Sequence, residues 1–322
     1  MHDSAFCEFT GGFASNLNLY GSSSGAVHQA LIDSVVTRND SKLTIYGIRT
    51  KYIRAAGNSR LEVYGTTASG NPEAQAGDAA TLLLHGGTFG RVYTWWEGGR
   101  IELNGNPTAG EITAHSGGIV RQGGGAVDSL SCAASGVAIL DKGTVNSFMT
   151  ASNDSTLVLA GGVPPQNNIR LFNNARAIVF HDSASVNGMM VKAKRLSLKL
   201  ADFNGTGYNS NFAGLRGFYM MDGYGQPVDF SAWNIQGEEW SGTLDLIRVD
   251  EGLTLEMLPD SDIALLAFRS VGAEVVQLEV SDDLKSWSAL GSAIMDGEIH
   301  TEIVRIGSNN SRYFRLRKWQ IP

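Results

Sequence analysis

One short pattern returns along the first two thirds of this chain, and its return limits the possible folds more than any other feature. Leu43 to Gly47 reads L-T-I-Y-G, and its variants are Leu17 to Gly21 (LNLYG), Leu61 to Gly65 (LEVYG), Leu82 to Gly86 (LLLHG), Ile101 to Gly105 (IELNG) and Leu157 to Gly161 (LVLAG). Weaker copies stand at I-V-R-Q before Gly123, at Val137 to Asp141, at Ile178 to His181 and at Leu196 to Leu200, the last rung. Apart from a longer first step, the spacing is about 18 to 21 residues, the mark of stacked repeats in which each copy is one supersecondary unit. No helical periodicity accompanies it. The pattern predicts an all-β chain, a single-stranded parallel β-helix (β-solenoid) in which each repeat is one coil.

Within each copy the residues alternate, so Leu43 and Ile45 face one side of a strand while Thr44 and Tyr46 face the other. The inward ladders are expected to hold Leu17 and Leu19, Leu61 and Val63, Leu82 and Leu84, Ile101 and Leu103, Leu157 and Leu159, and Ile178 and Phe180. The closing glycine supplies the positive φ of a sharp corner, and Asp182 is a tolerable substitute. A second strand follows each corner: Tyr52 to Ala55, Val92 to Trp96, Glu111 to His115, Ser129 to Cys132, Ser147 to Thr150 and Asn168 to Phe172. Open coil ends expose unpaired backbone and need caps, which residues 1–16 and the region after Leu200 are expected to supply.

From Phe203 the period is lost in a Gly- and aromatic-rich stretch that includes Phe218, Tyr219, Tyr224, Phe230, Trp233 and Trp240. Alternation resumes at Ala264 to Phe268, Val275 to Val280, Glu302 to Ile306 and Arg312 to Arg317, the spacing of a small antiparallel β-sandwich. The expected organisation is therefore a solenoid over 1–202, a transition and cap over 203–258, and a sandwich module over 259–322 with Trp287 as its core anchor. Asp282 and Asp283 form an acidic pair that reads as a polar turn.

D-S-K-L-T-I-Y-G (Asp40 to Gly47) and H-G-G-T-F-G-R-V-Y (His85 to Tyr93) resemble the repeats of secreted bacterial autotransporter-passenger-like β-helix proteins, over residues 15–200. L-E-V-S-D-D-L-K-S-W (Leu278 to Trp287) and R-Y-F-R-L-R (Arg312 to Arg317) resemble a short C-terminal β module of bacterial surface proteins. The resemblance implies an extracellular or cell-surface setting, although the start, Met-His-Asp-Ser, has neither the basic nor the apolar region of a signal peptide. It bears on fold and setting far more than on activity, and the leading functional expectation is a non-catalytic structural or adhesive role, on a bacterial surface or in a virion appendage. Glycans or other surface subunits are then the expected partners, with homo-oligomers as one form of assembly. The competing expectation is a protein that binds or cleaves polysaccharide.

Composition narrows the partners. A net charge of -7, with 25 Lys and Arg, argues against nucleic acid, which needs a basic stripe. No apolar run is long enough to span a membrane as a helix. Cys7 and Cys132 make no disulfide framework, and the predicted coil count keeps them apart as free thiols. The six histidines show no zinc spacing, with His85 and His181 expected exposed, so neither metal nor cofactor is expected. The run Gly123 to Gly125 lacks the lysine of a phosphate loop and reads as a corner.

Two surface features remain as candidate sites. Tyr20, Tyr46, Tyr64, His85 and Asn104 are expected to form one outward column, extended by Tyr93 and Trp95, which either offers sugar rings a platform or braces neighbouring coils. Glu62 and Glu102 are the weak catalytic candidates, on one outward column two coils apart. At about 4.8 Å per coil their backbones would stand roughly 9.6 Å apart, near the roughly 6.5–9.5 Å of an inverting glycosidase pair. The alternative is a pair of solvated glutamates.

Overall fold

The structure is a computed structural model. It describes residues 5–66, 72–96, 98–165, 169–181, 184–186, 189–199, 219–221, 227–229, 242–250, 252–258, 263–270, 274–295, 299–306 and 312–320. The chain winds into a parallel β-solenoid of about nine turns. Each turn contributes one strand to a first wall and one to a second. The first wall runs through Phe6–Thr10, Ser24–His28, Lys42–Ile48, Arg60–Thr66, Thr81–Gly86 and Arg100–Leu103. It continues through the start of Ile119–Ala133, the start of Val137–Ser152, then Thr156–Leu159 and Arg176–His181. The second wall runs through Phe13–Leu19, Leu31–Thr37, Tyr52–Ala55, Glu73–Gly77, Thr88–Trp95, Thr108–His115, the ends of the two long strands, and Ile169–Leu171.

The walls close on ladders of apolar side chains. Leu43, Leu61, Leu82 and Ile101 stack in one column of the first wall, and Ile45, Val63, Leu84 and Leu103 in the next, all buried. Opposite them lie Val35, Ile53, Ala74, Val92 and Ile112 of the second wall. A corner glycine permits the tight bend: Gly47 sits at φ 68°, where a Cβ is strained. The corner slips where glycines repeat. In H-G-G the positive φ falls on Gly87 and not Gly86, and a bulge after Val63 sets Tyr64 opposite Gly86.

Several expectations change. Leu17 to Gly21 belongs to the second wall, because Leu17 pairs with Val35 and Leu19 with Thr37. The long first step of the repeat is thereby explained: the intervening first-wall strand, Ser24–His28, carries no L-x-L-x-G. Residues 5–16 are not a cap, since Phe6–Thr10 and Phe13–Leu19 are already solenoid strands. Asp182 lies outside the described residues, as do most of the expected cap and its aromatics Phe218, Tyr224, Phe230, Trp233 and Trp240. Of the expected last rung, Leu196 to Leu200, Leu200 lies outside the described residues and the rest does not continue the parallel stack. Arg195–Lys199 runs antiparallel to Thr243–Arg248, and that later strand is the parallel neighbour of Arg176–His181.

Ladder faces also shift. Ala177 and Val179 pair with Leu157 and Leu159, so Ile178 and Phe180 point outward. They are nonetheless fully buried. The reason is the C-terminal module, whose strands Thr254–Met257, Ile263–Arg269 and Ile299–Arg305 form one antiparallel sheet. Leu258, Ile263, Leu265, Ala267 and Ile303 of that sheet region pack on Ile119, Val137, Ile139, Val158, Ala160, Ile178, Phe180 and Ile247, the outer face of the first wall. Leu266 and Phe268 point the other way, onto Val276 and Leu278 of a second sheet formed by Glu274–Ser281, Ser288–Ala289 and Tyr313–Gln320. The sandwich thus lies against the flank of the solenoid. Trp287 is not its core anchor: it is half-buried, with the Arg315 guanidinium 4.1 Å from its ring centroid. His181 is buried, not exposed.

Candidate functional site

The first wall changes character along its axis. Its outer positions are polar in the early turns (Lys42, Thr44, Tyr46; Arg60, Glu62, Tyr64) and apolar later, where the module covers them. Only the early part is open surface. There the rings of His28, Tyr46, Tyr64 and His85 stack in series, with centroids 4.9, 5.2 and 4.3 Å apart and planes within 16° of parallel. Parallel strands in register set this spacing, since His28 pairs with Tyr46 and Tyr46 with Tyr64. Asn104 follows Leu103, the partner of Leu84, and continues the column without a ring. Tyr20 is not in it. That residue lies on the second wall under the guanidinium of Arg38, and His28 takes its expected place. His28 was legible: it stands 18 residues before Tyr46, the same step that separates Tyr46 from Tyr64.

Because each ring turns its face to the next, the ladder presents ring edges and hydroxyls to solvent. A sugar needs an open ring face. The stacking therefore favours bracing between turns over a carbohydrate platform.

Glu62 and Glu102 do share one column, both pairing with Leu83 of the turn between them. Each is held by an arginine of its own strand, Glu62 by Arg60 at 2.7 Å and Glu102 by Arg100 at 2.5 Å. Partial burial pushes the Glu62 carboxyl up, but the hydrogen bond and charge of Arg60, with the Tyr64 hydroxyl 3.1 Å away, hold it below its ordinary value. A general acid needs the opposite shift, and the Leu83 side chain occupies the position between the carboxylates.

Tyr93 and Trp95 lie on the second wall, apart from the ladder. Trp95 pairs with Gly77, and Tyr93 with Gln75 and Thr113. No family model, curated protein or solved structure matches the chain. The second wall must therefore be read from its own chemistry. The Tyr52 hydroxyl donates to Gln75 Oε1 at 2.6 Å, Gln75 Nε2 donates to the Tyr93 hydroxyl, and Arg91 pairs with Glu111 at 3.1 Å. Burial first, then the charge of Glu73, raises the Tyr93 hydroxyl above its ordinary pKa, so it stays protonated at neutral pH. Arg91, Val92, Tyr93, Glu111, Thr113 and His115 line a depression of about 250 Å³.

Among the described residues no group of His, Cys, Asp or Glu is placed to hold a metal ion, and no helix is long and apolar enough to cross a membrane. Asp283 accepts the backbone N–H groups of Ser286 and Lys285 at 2.7 and 2.8 Å, which holds its carboxyl down at about 2 and makes it the anchor of a turn.

Proposed function

We propose that this chain is a non-catalytic structural or adhesive β-solenoid that works outside the cell, on a bacterial surface or in a virion appendage. The observation that carries the reading is the treatment of its one candidate acid pair: two glutamates, each bound by an arginine of its own strand, with a leucine between them. What remains is a rod. Its turns share continuous apolar ladders, its early outer faces are open, and its repeats are similar to those of autotransporter-passenger-like proteins. The depression on the second wall, about 250 Å³, is smaller than the roughly 300–1,000 Å³ of enclosed ligand pockets, which suits contact along a surface.

Two measurements test this. Antibody against the purified chain is expected to label intact source cells or particles, and mild protease treatment of those intact cells or particles is expected to remove the label. Labelling only after lysis would overturn the location. Incubation with soluble polysaccharides is expected to release no new reducing ends, and release that disappears in Glu102→Gln would overturn the non-catalytic reading.

A further inference from the structure

The second wall carries an aromatic corner that its own packing does not explain. Trp95 pairs with Gly77, which has no side chain, and Ala76, the residue before Gly77, pairs with Ala55 of the turn further back, so the positions behind the indole carry small residues. The Arg54 guanidinium lies 5.0 Å from the Trp95 ring centroid. Trp96, the next residue, stands at 86° to Trp95 with centroids 5.9 Å apart, and the two residues are 41% and 61% exposed. Trp96 is also held at φ 69°. The equivalent corners of neighbouring turns, Asn39, Asp78, Ser116 and Ala134, also have positive φ, so the bend belongs to the solenoid and the bulk placed at it belongs to Trp96 alone among them. Two indoles kept in water at a corner that other turns fill with small or polar residues are more than stacking requires.

Beside this corner runs a prearranged polar strip. His115 lies two residues beyond Thr113, the partner of Tyr93, and so continues the column of Trp95 by one turn. The depression of about 250 Å³ runs from the Arg91–Glu111 pair past Tyr93 and Thr113 to His115, the neighbour of Trp95 in that column. The hydroxyls of Tyr52 and Tyr93 are tied through Gln75, which fixes the strip before any ligand arrives and lowers the ordering cost of binding.

We infer that the Trp95–Trp96 corner and the Arg91–Tyr93–Glu111–His115 depression form one binding site for a neutral, pyranose-based glycan chain. One sugar places its C–H face on an exposed indole, where partially positive hydrogens meet the negative π face. The next places its hydroxyls, donors and acceptors at once, against the carboxylate, guanidinium, hydroxyl and imidazole of the depression. The charges favour a neutral sugar. Among the described residues that line the depression, Arg91 is paired with Glu111, so the depression offers an anionic polymer no uncompensated arginine. A peptide added as a further strand is disfavoured, because the strands of this wall are already paired on both sides.

This site rests on the adhesive reading above. The test is affinity electrophoresis of the full chain through gels containing hydroxyethyl cellulose, galactomannan, laminarin or dextran, with polygalacturonate as the charged control. At least one neutral gel is expected to retard the wild type. Trp95→Ala and Trp96→Ala are each expected to weaken that association by about two- to tenfold, the size of one lost aromatic contact. Tyr46→Ala, on the other wall, is expected to keep it. Thermal unfolding by circular dichroism shows that the variants are folded, and Trp96→Ala, at the more exposed ring, serves if Trp95→Ala is not. Retardation by no neutral gel, retardation by polygalacturonate alone, or retardation unchanged in the folded Trp variants would each overturn the site. Any of these with surface labelling intact removes the glycan and leaves the extracellular reading, whereas labelling only after lysis removes the latter.

Discussion

Cys132 and Cys7 show how one residue type takes opposite properties from its place in a stack. Both are free thiols. Cys132 is 1% exposed between the walls, and burial pushes its thiol up to about 12, so it is neither accessible nor ionised at neutral pH. Cys7 pairs with Gly25, in the column that leads inward to Leu43, yet it is exposed because its strand is the first described on that wall. A thiol reagent at neutral pH is expected to modify one cysteine per folded chain and two after denaturation, without reductant. Two in the native state would place Cys132 outside the core. The sequence already separated the two cysteines by about six turns; it did not distinguish their accessibility, which depends on what stands beyond the first strand.

The strand Lys42–Ile48 presents both of its faces for comparison. Ile45 is fully buried between Val27 and Val63, while Tyr46, one residue on, is 43% exposed between His28 and Tyr64. Ile45→Asp buries an unpaired carboxylate and is expected to cost several kcal/mol, enough to unfold neighbouring turns. Tyr46→Ala removes two ring stacks, each worth roughly 0.5–1.5 kcal/mol, and is expected to cost about 1–3 kcal/mol. Urea unfolding of the two variants checks both values. A Tyr46→Ala variant as stable as the wild type would mean that the ladder does not brace the turns.

The whole molecule is held by the contact between module and solenoid flank. Leu265 faces the solenoid and Leu266 faces the second sheet of the sandwich, so Leu265→Asp is expected to detach the module while sparing its inner layer. Calorimetry should then show two transitions, and a single unchanged one would deny the contact. Charges border this interface. Arg176 and Arg195 bridge Asp245 of the solenoid to Glu256 of the module, and Arg121 reaches Asp141 and, at 3.7 Å, Glu302. For Glu302 burial outweighs the attraction of Arg121, and its carboxyl is raised from its ordinary 4.5. The folded state therefore binds this proton more tightly than the unfolded one. Stability from this group is greatest below 4.5, falls as pH rises from there through the raised value, and the penalty is complete above it. Glu302→Gln is accordingly expected to melt at or above the wild type at pH 7, with the gap closing toward pH 4.5. A clear fall at pH 7 would show that the ion pair outweighs the burial.

What the sequence determined by itself was the stack: local alternation and corner glycines at a constant step leave a chain few other ways to bury its leucines. It also carried a sign of the docked face that alternation alone hides. V-A-I-L at Val137 to Leu140, T-L-V-L at Thr156 to Leu159 and A-I-V-F at Ala177 to Phe180 are apolar without alternation, the mark of strands covered on both sides. Which element covers them was not legible, because pairing across more than a hundred residues leaves no local pattern. Nor did the motif itself show the wall to which Leu17 to Gly21 belongs, since a one-strand offset preserves every local preference while moving Tyr20 away from the ladder; only the 18-residue step back from Tyr46 pointed to His28 in its place. The tertiary structure decided both, through register: stacking aligns side chains by turn and not by motif, and that alignment separates the ring ladder from Tyr93 and Trp95.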